Sequence, residues 1–121
     1  LKQTSEELAL VKRHVEIPFL MDTIEEDKKR ISSSTLKMKA AYVDHLSTIQ
    51  RRITVEMVDL KKTLKQNDIK IIQQYRSTES LTIDYSTRGY EHKMTLIWSK
   101  VMVDITLILT EYMHVDITAS R

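Results

Sequence analysis

Apolar residues recur at helical intervals over most of this chain. Leu8, Val11 and Val15 are spaced by three and four, and Leu20, Ile24 and Ile31 carry the pattern on beyond Phe19. Thr4 stands before the run as a hydroxyl cap, and Glu6 and Glu7 follow where the positive end of a helix dipole favours acids. Pro18 either opens a second helix near its first position or kinks a continuous one. The spacing predicts helices over 4–16 and 18–31. Ser32-Ser33-Ser34-Thr35 forms helix poorly and caps well, so the segment breaks there.

The next run is the most regular. With Leu36 as a heptad a position, Leu36, Val43, Gln50, Met57, Leu64 and Ile71 fall at a. Lys39, Leu46, Ile53, Leu60, Asn67 and Gln74 then fall at d. Eight of these twelve positions are apolar, and neither Gly nor Pro interrupts Leu36 to Tyr75, which predicts a helix over 34–77, with a break near Asn67-Asp68 as the alternative. Unbroken, it would reach about 60 Å and would need a partner along its length.

Leu81-Thr82-Ile83-Asp84-Tyr85 alternates with period two, as do Tyr90, His92 and Met94, with Arg88-Gly89 between them. A short hairpin fits that pattern, but the helical surroundings favour an extended loop leading into a helix over 89–116. That last segment carries a seam of Met94, Trp98, Val101, Ile105, Ile108, Tyr112 and Val115. Leu96, Ile97, Met102, Val103, Leu107 and Leu109 widen the apolar arc well past one seam. A helix so apolar is expected to be covered on more than one side, in a bundle core or an oligomer interface.

Composition supports helix. One Gly and one Pro in 121 residues are too few for a turn-rich β architecture. The fold expected is therefore all-α, a single domain over 1–121. It is a bundle of three or four helices with one long coiled-coil-like helix, completed by self-association. The absence of Cys excludes disulfides and thiolate metal sites and suits an intracellular, cytoplasmic setting. No apolar run approaches the length of a membrane span, so no membrane insertion is expected. The start at Leu1 has neither an initiator Met nor a signal-peptide apolar region, as in a trimmed or partial chain.

Charge is shared unevenly. Residues 33–80 carry nine Lys/Arg against five Asp/Glu, whereas the flanking segments are each one unit negative. Lys37, Arg51, Arg52, Lys62, Lys65 and Arg76 fall at outward heptad positions and make a basic face for nucleic acid or an acidic partner. The alternative is an ordinary solvated helix face. Met94, Trp98, Val101, Ile105, Ile108 and Tyr112 form the candidate core or oligomer seam. Tyr85, Arg88, Tyr90 and His92, gathered in eight residues, form a candidate partner hot spot, although Gly89 also serves simply to permit a turn. His14, His45, His92 and His114 lie too far apart for a local two-His metal site.

Asp22-x-x-Glu25 and Glu56-x-x-Asp59 each place two carboxylates on one helix face, where facing pairs hold Mg²⁺ against nucleotide phosphates. Over those eight residues the chain is similar to the all-α nucleotide pyrophosphohydrolases, whose motif is E-x-x-E followed by E-x-x-D; it departs at Asp22. That resemblance implies a Mg²⁺-dependent hydrolase. The favoured expectation is a non-enzymatic interaction protein, a small regulator, adaptor or assembly component acting through helix–helix contacts. It takes no catalytic residue, metal or cofactor, and its partner is itself or another protein. A nucleic-acid regulator using the basic face is the second expectation, and the hydrolase the third.

Overall fold

A computed structural model describes residues 2–115. It contains α1 (Ser5–Ser32), α2 (Lys39–Gln66), β1 (Ile69–Arg76), β2 (Ser80–Thr87), β3 (Tyr90–Ile97) and α3 (Trp98–Met113). The three strands form one antiparallel sheet in the order β1-β2-β3, so the protein is α+β. The all-α helical bundle and coiled coil expected from the sequence are thereby overturned.

Each correction has a local cause. Pro18 does not divide the first helical region; α1 runs through it as one helix. Its start is the expected one, with Glu7 N donating to Thr4 Oγ1 at 3.1 Å and Thr4 N donating to the Glu7 carboxylate at 2.7 Å. The long heptad helix ends at Gln66, where Asn67 caps it and Asp68 takes φ 54°, a left-handed turn that redirects the chain into β1. Gln50, a polar a position, is satisfied across the hairpin by Lys28 at 2.7 Å and Glu25 at 3.2 Å.

The hairpin set aside in favour of a helix forms between β2 and β3. Arg88 and Gly89 have φ of 52° and 85°, the left-handed pair that a two-residue type I′ turn requires. The period-two alternation of β2 sends Leu81, Ile83, Tyr85 and Thr87 into the core, all buried. Register places Leu96, Met94 and His92 of β3 on that same face. The opposite face carries Thr82, Asp84, Ser86, Lys93 and Thr95.

The core lies where α1 meets everything else. Val11, Val15, Ile17, Leu20 and Ile24 of α1 join Ile49, Ile53, Leu60 and Leu64 of α2, the inner residues of the sheet, and Val101, Ile105 and Ile108 of α3. Burial of large aliphatic side chains at about 25 cal/mol per Å² is the main force holding these layers together. Phe19 marks the junction: its ring meets Trp98 edge-on at 5.2 Å and the Arg76 guanidinium at 4.8 Å, and Trp98 Nε1 donates to Ser77 O at 2.8 Å. Among the described residues, no helix is long and apolar enough to cross a membrane.

Candidate functional site on the last helix

The two faces of α3 differ in kind. The inner face presents most of the seam, Val101, Ile105 and Ile108, all buried, with Trp98 and Tyr112 half-buried against the same core; Met94, the seam's first member, is buried within β3. On its flank the helix is tied to α1 and α2 by polar groups. Asp104 receives Lys100 Nζ and Lys12 Nζ, each at 2.9 Å. Glu16 of α1, only 2% exposed, stands against Asp104.

Environment splits these two carboxyls. Burial, and then the facing Asp104, push Glu16 up to about 8, so it holds its proton at neutral pH. Asp104 sits at about 2: burial works against its ionisation, but the facing Glu16 and the two lysine ammoniums together outweigh it. One Glu16 oxygen, Oε2, has no hydrogen-bond partner, and the Lys12 contact on Asp104 Oδ2 is out of line for a hydrogen bond. A neutral acid beside an ionised one is an arrangement used in acid–base chemistry. Here Glu16 is closed off from solvent, and the cluster clamps α3 onto α1.

A second clamp reaches α2. Arg13 forks onto Glu56, with Nε donating at 2.6 Å and Nη2 at 2.9 Å, and it reaches Glu111 at 3.4 Å. Tyr112 OH also donates to Glu56. Burial, and then the Glu56 carboxylate, raise Tyr112 to about 12, whereas Arg13 holds Glu56 below the usual carboxylate range. Arg52 lies 5.0 Å over the Tyr112 ring and donates to Tyr112 O at 3.0 Å.

The outward face of α3 is the opposite in character. Between Lys100 and Glu111 its exposed residues are Met102, Val103, Thr106 and Leu107, none of them charged. Met102 is 54% exposed, and Ile97, just before the helix, is 56% exposed. The two threonines nearby turn inward electrically: Thr106 Oγ1 donates to Met102 O at 2.7 Å and Thr110 Oγ1 to Leu107 O at 2.8 Å. Their hydroxyl protons need no water. This strip can be desolvated without stranding a hydroxyl donor.

The other sequence candidates are distributed differently. Lys37 lies in the turn before α2 and Arg76 ends β1 over Phe19, so neither extends a stripe along α2. With Arg52 engaged by Tyr112, the outward face of α2 keeps Arg51, Lys62 and Lys65, with exposed Val55 and Val58 on that side of the helix. Of the hot-spot group, Tyr85 is fully buried and its OH donates to Gln3, while Thr87 Oγ1 and His92 Nε2 are 2.7 Å apart. Arg88 forks onto Glu7 at 3.1 and 3.0 Å and donates to Lys2 O at 3.0 Å, fastening the β2–β3 turn to the start of α1; Tyr90 stays exposed.

The carboxylates likened to a hydrolase motif separate. Glu56 is taken up by Arg13 and Tyr112, while Asp22 and Asp59 are exposed. Among the described residues, no group of three or more His, Asp or Glu side chains is placed to hold a metal ion. The Glu16–Asp104 clamp went unseen in the sequence. Its one signal was acids embedded in apolar runs, Glu16 between Val15 and Ile17 and Asp104 between Val103 and Ile105.

No curated protein and no solved structure matches the chain. A family model described as YhjD protein matches residues 2–117, which is nearly the whole length, and the chain therefore belongs to the YhjD protein family.

Proposed function

We propose that this protein is a non-enzymatic interaction module, a small regulator, adaptor or assembly component, that docks through the outward face of α3. One observation carries the proposal: the exposed run Met102, Val103, Thr106 and Leu107 is free of charge, while the rest of the helix is clamped in place. Exposed apolar residues scattered singly are ordinary, but a contiguous strip on a fixed helix is what a docking surface offers. Prior clamping lowers the entropy lost on binding. A helix built for a lipid surface carries a cationic polar flank. Here Lys100 is answered by Asp104, and Glu111 stands at the far end, which favours a protein partner.

The test is a photoreactive residue at Thr106 in the full chain, expressed in its native cells, with Val55 on the outward face of α2 as control. Adducts from position 106 and few from position 55 are expected. Equal yields from both, or none from position 106, would overturn the proposal.

A further inference from the structure

Resting on the docking role of α3, we infer that the occupant of this face is the same face of a second copy, paired antiparallel. The placement of the two exposed charges points there. Lys100 and Glu111 are 51% and 65% exposed at the side chain and bracket the uncharged strip. They are eleven residues apart, about three turns at 3.6 residues per turn, so they stand on one flank of α3.

A two-fold axis perpendicular to the helices, passing beside Ile105 and Thr106, lays two copies of α3 antiparallel and keeps that flank on the same side in both. Lys100 of each copy then comes beside Glu111 of the other, and the contact is made twice. Within the strip, Val103 of one copy falls about one residue from the level of Leu107 in the other. A parallel pair would set Lys100 level with Lys100 and give neither Glu111, held only by Arg13 at 3.4 Å, a cation from the other copy. Flanking charges set helix orientation in this way wherever apolar strips pair. Their intramolecular partners stay provided for. Asp104 keeps Lys12 at 2.9 Å, and Arg13 keeps Glu56 at 2.6 Å. The face is self-complementary, as an isologous interface must be.

The chain has no cysteine, so single thiols report the geometry without background. Sedimentation equilibrium of the purified full chain should give a dimer at micromolar concentration. Lys100→Cys mixed with Glu111→Cys should then form the mixed disulfide at least about tenfold faster than either variant forms its own, because thiols bridge only at close Cα separation. Retained helicity and dimer mass in each variant before oxidation confirm that the pair is intact. Faster self-linking of Lys100→Cys would mean a parallel pair and overturn the inference, as would a monomer at all concentrations. A monomer whose Thr106 probe still captures a different protein would remove the second copy and leave the docking role standing. A monomer with no adduct at Thr106 would remove both.

Discussion

Glu16 on α1 and Asp104 on α3 face each other across one helix contact with opposite protonation, Glu16 held up at about 8 and Asp104 held down at about 2. The pair makes stability depend on pH in two directions. Because the folded state keeps the Glu16 proton that the unfolded chain releases near 4.5, its contribution is fully present below 4.5 and is lost as pH rises through about 8. Asp104 contributes above its ordinary 3.8, and that contribution is lost as pH falls through about 2. Glu16→Gln keeps a donor towards Asp104 and has no proton to lose. Relative to the variant, the native protein should lose urea midpoint between pH 5 and 8, beyond the change that His14, held below its ordinary range by burial and Lys61, gives to both. The same pH profile in both would mean that Glu16 does not hold the clamp.

The sheet supplies the second prediction. Ile83, fully buried on β2, should cost about 2–5 kcal/mol as Ile83→Ala in urea unfolding. Val55→Ala, at a position 62% exposed on α2, should stay within about 0.5 kcal/mol. An extended loop at residue 83, as the sequence suggested, would make the two substitutions alike.

Why the strands read as helix is visible in β1. Its register against β2 shifts between Ile71 and Gln73, and the extra residue, Ile72, is a β-bulge. Ile69 and Ile71 pair with Thr87 and Tyr85, and beyond the bulge Gln74 and Arg76 pair with Ile83 and Leu81. All four sit on the inner face, at intervals of two, three and two. The step of three from Ile71 to Gln74 matched the heptad, although a strand produced it. At the other end, Met94 on β3 and Trp98 opening α3 are four apart, so the seam ran unbroken across a strand–helix junction. By contrast, the Thr4–Glu7 cap, the break at Ser32 and the apolar excess of α3 rest on local residue chemistry, and these were legible. The clamps of α3 were not, because Glu16 meets Asp104 and Arg13 meets Glu56 only through tertiary packing.

At the β2–β3 turn, Gly89 has open space for a Cβ but a φ of 85° that an L side chain adopts with strain. Gly89→Ala should therefore cost about 1 kcal/mol through the backbone alone. Arg88→Gly relaxes its own φ of 52° but releases Glu7, and should also be destabilising, by about 1 kcal/mol or more. Thermal unfolding of the two variants checks both; a stabilised Arg88→Gly would show that the Glu7 fork contributes nothing.

Thiol labelling at two matched positions shows whether the outward face of α3 is covered in the working protein. Val103 on α3 and Val55 on α2 are 52% and 62% exposed, so in an isolated chain Val103→Cys and Val55→Cys should react with a maleimide at similar rates. In native cells Val103→Cys should react at least about tenfold more slowly than Val55→Cys, and dilution of the purified protein should abolish the difference. Equal rates in cells would contradict a covered face.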